Sequence, residues 1–298
     1  MDRRYWSAAL AGCLLLAVAG CKMLPEEAAS AGPDVTFQRH PMSGLVLAKV
    51  GTGQQVTVQQ GVIPNFMPAM NAVYTVPETG TFRELQPGDR ITGVVLAPSD
   101  GSENRLAEIA ITAEPTHPMT SDELPPHELL MGEAVPDIPM VNQAGKAVQF
   151  PEFRGKALLL TFVDSKCTED CPIITGRFQK VNQLLERDGP AYAASHLLTV
   201  SIDPANDTPP VLRQYGLKYL DGDAKGFAHW SFVDTTPANL KKLATAFGVM
   251  YRPSGDGDIV HTMVTALVGP DGTLRQVWGG DDWSAAQVAH AVAAAAKS

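Results

Sequence analysis

The chain has 298 residues, of which 45% are hydrophobic, and a formal net charge of −9 at pH 7. The length allows one large or two modest domains, and the hydrophobic content is that of a globular protein, which excludes a disordered chain. The negative charge argues against a nucleic-acid-binding protein and provides no basic patch for anionic lipid.

The first 34 residues have the pattern of an exported, lipid-modified precursor. Two arginines form a short basic region, Leu10–Ala19 is an apolar stretch too short to span a bilayer, and small residues precede Cys21. This arrangement resembles a bacterial lipobox, so we predict a lipoprotein signal peptide over residues 1–20, diacylation of Cys21 and a tether over residues 21–34. The protein is then expected on the periplasmic side of a bacterial membrane, either inner or outer. An uncleaved anchor or an ordinary secretory signal is the alternative.

Residues 35–113 have the pattern of a small all-β domain. Turns rich in Gly and Pro separate five strand-forming segments, at residues 43–50, 54–60, 71–76, 89–97 and 105–113. Five short strands in so few residues predict a β-barrel of the OB type. Prolines without apolar periodicity then indicate a linker over residues 114–130.

Residues 131–298 change to alternating strands and helices. Apolar runs predict strands over residues 156–163, 196–203, 230–234, 260–268 and 274–279. Amphipathic or capped segments predict helices over residues 172–188, 209–219, 237–247 and 284–297. The N-caps of the last two helices are Thr236 and Ser284. This α/β order, with a turn at Pro270–Gly272 between the last two strands, is that of a thioredoxin-like fold.

Cys167 and Cys171 are the only cysteines beyond the first 21 residues. In an exported protein they can form a disulfide or bind a soft metal. Because Pro172 is a good first helical residue, the helix N-terminus is expected to lower the pKa of the Cys171 thiol. Three residues separate the cysteines instead of the two of the usual thioredoxin motif, and Glu169 and Asp170 add negative charge. This wider, acidic loop favours holding a cation over fast disulfide exchange.

His261 is the candidate third ligand. In a thioredoxin-like fold the residue that enters the strand before the final hairpin abuts the redox cysteines, and it is normally a cis-proline. No proline occurs between Asp256 and Gly269, so we align His261 with that position. Two thiolates and an imidazole suit copper in either oxidation state, or zinc. The alternative is that His261 is simply a polar residue at a strand edge.

Three segments carry a resemblance to a known family: VDSKCTEDCPIIT (163–175), SIDPANDTPPVLRQY (201–215) and VHTMVTALVGPDGTL (260–274). They resemble the signature segments of the Sco/SenC family, thioredoxin-fold copper proteins that help assemble the copper centre of cytochrome oxidase. The resemblance covers residues 131–298 and implies that Cys167, Cys171 and His261 bind copper. It also implies a partner, either the copper-bearing subunit of the oxidase or another exported copper protein. Thr168 stands where a proline commonly follows the first cysteine.

The front domain carries two methionines at a turn. Met67 and Met70 lie in GVIPNFMPAMNAVYTV (61–76), and a thioether is a soft ligand that suits Cu(I) or Ag(I) without deprotonation. With the following LQPGDRITGVV (85–95), the stretch resembles small periplasmic copper-binding domains of the CusF-like kind, which implies a second soft-metal site. Those domains also use a histidine and often a tryptophan, whereas this domain has no tryptophan and only His40, at its edge. The alternative is that both methionines fill the domain core.

Two functions from different classes are compatible with these residues. A copper chaperone would pass the metal to an acceptor by exchanging ligands one at a time. A thiol-disulfide oxidoreductase would instead reduce the cysteines of an exported copper protein, one thiolate attacking and the other resolving the mixed disulfide. We favour the chaperone because a potential ligand occupies the cis-proline position. A thiol peroxidase is a weaker hypothesis, since nothing in the segment supplies the Thr and Arg that activate a peroxidatic cysteine.

Overall fold

The structure is a computed structural model and describes residues 35–119, 123–254 and 259–297. The predicted signal peptide (1–20), Cys21 and the tether (21–34) lie outside the described residues. Across the three described ranges, no helix is both long and apolar enough to cross a membrane.

Five strands and a short helix make up the front region: β1 (Phe37–Val50), β2 (Gln55–Gln60), β3 (Met70–Thr75), α1 (Thr79–Glu84), β4 (Arg90–Pro98) and β5 (Arg105–Ala113). The strand order is β1-β2-β3-β5-β4, and β1 pairs with both β2 and β4, so the sheet closes on itself. All five predicted strands are present. The sequence does not predict α1, because Pro77 and Gly80 indicate a turn.

The rest of the chain alternates strands and helices. Its strands are β6 (Met140–Asn142), β7 (Ala147–Val148), β8 (Ala157–Val163), β9 (Ser195–Ser201), β10 (Trp230–Asp234), β11 (Tyr251–Pro253), β12 (Ile259–His261), β13 (Val264–Val268) and β14 (Leu274–Gly279). Its helices are α2 (Asp170–Asp188), α3 (Pro190–Ala193), α4 (Pro209–Tyr219), α5 (Pro237–Ala246) and α6 (Ala285–Ala295). Single 3-10 turns occur at Thr52–Gln54, Phe150–Phe153 and Ala224–Ala228.

A seven-stranded sheet with the order β14-β13-β8-β9-β10-β6-β7 forms the centre of this region. β9 runs parallel to both β8 and β10, whereas β13 is antiparallel to β8. The fully buried residues of β8 alternate between two apolar clusters, as a strand covered on both faces requires. One cluster contains the apolar faces of α2, α4 and α6, and the other contains that of α5. The predicted α/β organisation is therefore present.

Local sequence signals fix several helix ends. The hydroxyl of Thr236 accepts a hydrogen bond from the Asn239 N–H at 3.3 Å, and Pro237 begins α5. Ser284 and Gln287 form a capping box at the start of α6. These are the two caps that the sequence predicts.

Two predicted boundaries near the cysteines are wrong. α2 begins at Asp170, two residues before the predicted start at Pro172. The predicted strand 260–268 is broken into β12 and β13, because Thr262 bonds to Met250 instead of continuing the main sheet. β12 therefore pairs only with β11, in a separate two-stranded sheet that ends with His261.

Candidate metal centre

The cysteine loop follows the central strand β8. Cys167 lies in the turn after the strand, and Cys171 is in the first turn of α2. The N–H of Cys167 donates to the carbonyl of Asp164 at 3.2 Å, and the N–H of Cys171 is 3.4 Å from the Cys167 sulfur. Both thiols are free. The turn therefore directs the Cys167 sulfur back toward the start of the helix.

Cys171 is buried, with 1% of its surface exposed. Its sulfur accepts a hydrogen bond from the backbone N–H of Asp164 at 3.3 Å and packs in the cluster that contains Ile174 and Phe178. Burial raises the pKa of the Cys171 thiol, so the lowered pKa that the sequence predicts is wrong. The helix N-terminus favours a thiolate, but removing the sulfur from water disfavours the charged form more strongly. Cys171 is therefore a protonated thiol at neutral pH.

His261 reaches the cysteines from β12. Its Nε2 lies 3.6 Å from the Cys171 sulfur, and its Nδ1 lies 3.0 Å from the carbonyl oxygen of Thr262. A carbonyl oxygen can only accept, so Nδ1 carries the proton and Nε2 presents its lone pair to the sulfur. Burial lowers the pKa of His261, and the hydrogen bond to Thr262 and the carboxylates of Asp164 and Asp170 oppose that shift only in part. The ring is neutral at pH 7, as a metal ligand must be.

The spacing of the sulfur and nitrogen atoms fits a shared metal ion. Bonds of about 2.3 Å to sulfur and about 2.0 Å to nitrogen that meet near a tetrahedral angle place the two ligand atoms about 3.5 Å apart. Cys171 and His261 are at 3.6 Å. In the parts of the chain that the structure describes, no three His, Cys, Asp or Glu side chains already form a metal-binding cluster. Cys171 and His261 are thus brought together directly, and the Cys167 sulfur lies beside the Cys171 backbone.

The structure adds two residues to this site that the sequence does not single out. Asp164 donates its N–H to the Cys171 sulfur, and Thr262 orients the His261 ring through its carbonyl oxygen. Both act through their backbone, so side-chain identity gives no signal for them. The only indications in the sequence are that Asp164 follows the predicted strand 156–163 and that Thr262 is adjacent to His261.

The two front methionines have different surroundings. Met67 is half-buried against the core of the front sheet, and the Tyr74 hydroxyl is 4.0 Å from its sulfur. Met70 is at the start of β3 and is 43% exposed. The ring of His40 stacks on Phe66 with the ring centres 3.9 Å apart. A metal site at Met67 and Met70 stays a prediction.

Comparisons with known proteins agree with the sequence signatures. A sequence model of the SCO1/SenC family matches residues 132–297. The SCO1 protein homolog of Bacillus subtilis (strain 168) is 25% identical over 142 residues, which is 47% of this chain and 70% of that protein.

Solved structures of other proteins are also similar to part of this chain. A SCO1/SenC family lipoprotein from Bacillus anthracis str. Ames superposes with a TM-score of 0.50 and 17% identity, over 56% of this chain and 96% of that one. ScoI from Bradyrhizobium japonicum, with copper bound, gives a TM-score of 0.46 and 24% identity over 56% of this chain and 99% of that one. The likeness to the B. anthracis protein confirms the thioredoxin-like α/β fold predicted for the C-terminal part.

Proposed function

The chain belongs to the SCO1/SenC family, and from that premise we propose that it binds copper at Cys167, Cys171 and His261 and delivers it to an exported copper protein. The copper-bearing subunit of cytochrome oxidase is the proposed acceptor. Copper is then the cargo of the protein. The experiment that tests this proposal compares copper delivery with disulfide chemistry.

The contact between Cys171 and His261 carries the proposal. A cysteine sulfur and an imidazole lone pair 3.6 Å apart match two ligands of one ion, and a second thiol lies within the same turn. Two sulfurs and one nitrogen are a soft donor set that suits Cu(I) and Cu(II), and zinc fits it as well. Family membership favours copper over zinc.

The different exposure of the two thiols suggests an order of transfer. Cys171 is buried, whereas Cys167 is half-buried at the surface of the loop. An incoming thiolate or imidazole of the acceptor therefore reaches the Cys167 side first. Copper leaves as the acceptor replaces Cys167, and the Cys171 sulfur takes up a proton again once the metal has gone.

The rest of the chain fits delivery at a membrane. Diacylation of Cys21 would anchor the protein on the periplasmic side, and residues 21–34 would serve as the tether. A front domain over residues 35–113 with a second soft-metal site at Met67 and Met70 would hold Cu(I) on the same chain as the main site.

A thiol-disulfide oxidoreductase is the second candidate, because two free thiols lie four residues apart, with the Cys167 sulfur 3.4 Å from the backbone nitrogen of Cys171. In that case Cys167 would attack, since Cys171 is buried and its pKa is raised by burial. His261 would then only pack beside the two thiols and would take no part in the reaction.

A paired measurement on wild type and His261→Ala separates the two candidates. We expect His261→Ala to lose copper transfer to a soluble copper-bearing domain of an oxidase, while Cys167 and Cys171 still form and exchange a disulfide. Reduction of that domain's own disulfide is measured in parallel. The exposed His290→Ala is the matched control. If His261→Ala loads the acceptor as well as wild type does, the oxidoreductase replaces the chaperone.

A further inference from the structure

A buried carboxylate outside the proposed ligand set connects the cysteine loop to the neighbouring strand. Asp207 lies between β9 and α4 and is fully buried. Its Oδ2 accepts the hydroxyl of Ser201 at 2.6 Å and the backbone N–H of Ser165 at 3.3 Å, and its Oδ1 accepts the hydroxyl of Ser165. Ser201 is the last residue of β9, and Ser165 follows the end of β8. The carboxylate therefore bridges the ends of two parallel strands.

The Asp207 bridge holds the loop between β8 and α2, which is already restrained by its own hydrogen bonds. Asp164 follows β8 directly and accepts the Lys166 N–H on its Oδ1 at 2.9 Å and the Cys167 N–H on its carbonyl oxygen at 3.2 Å. Ser165, between them, is held by Asp207. A displacement of Ser165 therefore moves the Cys167 sulfur, whereas the thiol in α2 stays with its helix.

We propose that Asp207 is a positioning residue that acts through Ser165 to hold the Cys167 sulfur at the spacing required by a site shared with Cys171 and His261. Its effect on copper rests on the proposed function. The same geometry also governs how readily Cys167 and Cys171 form a disulfide, which needs no metal. Residues that orient metal ligands from outside typically contribute about 10-fold to 100-fold in metal affinity.

Two serine variants provide a matched test in the full mature chain. Ser165→Ala and Ser201→Ala each remove one hydroxyl from the same carboxylate, but only Ser165 belongs to the cysteine loop. The first readout is a Cu(II) titration that follows affinity and the wavelength of the thiolate band. The second is the disulfide equilibrium with glutathione, in which one glutathione disulfide becomes two glutathione molecules as the two protein thiols become one disulfide.

We expect Ser165→Ala to lower copper affinity about 10-fold, to shift the thiolate band and to change the disulfide equilibrium constant. Ser201→Ala is expected to match wild type in all three. Asp207→Asn keeps the size of the side chain but offers only one acceptor oxygen, so it should behave as Ser165→Ala does. If Asp207→Asn does not fold, the two serine variants still decide the question.

Equal effects of Ser165→Ala and Ser201→Ala in both readouts would overturn the positioning role, as would no effect of either. Failure of the proposed function gives a different result. Wild type would then bind no copper, while the disulfide constant would still distinguish Ser165→Ala from Ser201→Ala. That result would support the positioning role for the thiol pair and remove only its connection to copper.

Discussion

The Nε2 atom of His261 lies 3.6 Å from the sulfur of Cys171, although 90 residues separate them in the sequence. The contact depends on the break after β12, because a strand that continued into β13 would carry the histidine in the register of the main sheet. The two-stranded sheet of β11 and β12 is held to the core by Tyr251 and Ile259. This small sheet places the imidazole over the start of α2.

Removing any one proposed ligand should abolish or greatly weaken copper binding by the reduced mature protein. Cys167→Ala, Cys171→Ala and His261→Ala each leave an incomplete set of ligands. Wild type is expected to bind one copper ion with an intense thiolate charge-transfer band for Cu(II) in the visible or near-ultraviolet. Anaerobic copper titration measures both the number of bound ions and the charge-transfer band. The exposed His290→Ala should titrate as wild type, and unchanged affinity in His261→Ala would exclude that residue from the site.

Metal binding by the front methionines can be measured after the main site has been removed by mutation. In a chain with Cys167→Ala and Cys171→Ala, we expect Met67→Leu with Met70→Leu to lower the remaining binding of Ag(I), measured by calorimetry. Folding should be nearly intact, because a Met-to-Leu change conserves volume and costs less than about 1.5 kcal/mol.

A matched control for the front methionines uses thioethers elsewhere. Met131→Leu with Met250→Leu replaces two exposed methionines outside the front sheet and should leave Ag(I) binding unchanged. Equal binding by all three chains would assign Met67 to the core, where its contact with the Tyr74 hydroxyl already gives it a packing role.

Acid should destabilise the protein through two buried histidines. Burial lowers the pKa of His196 to about 3 and that of His229 to about 4. The unfolded chain has histidine pKa values near 6.5, so below that pH it binds more protons than the folded protein. The contribution of these two histidines to the free energy of unfolding is therefore expected to fall as pH drops from about 6.5 toward 4, by about 3 kcal/mol for His196 alone.

Denaturant titrations at several pH values measure this acid slope. His196→Gln removes the buried imidazole and offers an amide to Ser231, which lies 3.0 Å from Nε2 in wild type. We expect a shallower loss of stability between pH 6.5 and 4 in His196→Gln, whereas the exposed His290→Gln should keep the slope of wild type. An unchanged slope in His196→Gln would mean that other groups cause the acid sensitivity.

Two glycines in helix interiors should respond oppositely to alanine. A Cβ atom at Gly216 in α4 would lie 2.7 Å from ring atoms of Phe227 and Phe232, so Gly216→Ala should destabilise the protein by about 1–3 kcal/mol. At Gly176 in α2, no heavy atom beyond its chain neighbours and its own helix backbone lies within 4 Å of that position. Gly176→Ala should stabilise by about 0.5–1 kcal/mol. Chemical denaturation compares them, and destabilisation by Gly176→Ala would contradict the packing argument.

Much of the fold could be predicted because its signals are local. Thr236 and Ser284 act as the predicted caps, and the predicted bounds of α4, β10 and β14 agree with the structure. These elements have short-range determinants: a capping hydroxyl, a proline at the first helical position, or an apolar run between turns.

The predictions that failed depend on tertiary surroundings. The pKa of Cys171 follows from its burial under Ile174 and Phe178, which no local pattern reveals, so the helix N-terminus alone gave the wrong direction. The bridge from Asp207 to Ser165 likewise requires that β8 and β9 be neighbours. Ser165 and Asp207 are 42 positions apart in the sequence, so no short-range motif predicts their contact.

The unequal distances of the three proposed ligands along the chain have a consequence for when the metal can bind. Cys167 and Cys171 are four residues apart, so an unfolded chain already has both thiols within reach of one ion. His261, 90 positions after Cys171, joins only after the chain between them has formed the sheet and its helices. Copper would therefore bind to the two thiols before the chain reaches its native state. The full copper affinity would be reached only when folding brings the imidazole to the metal.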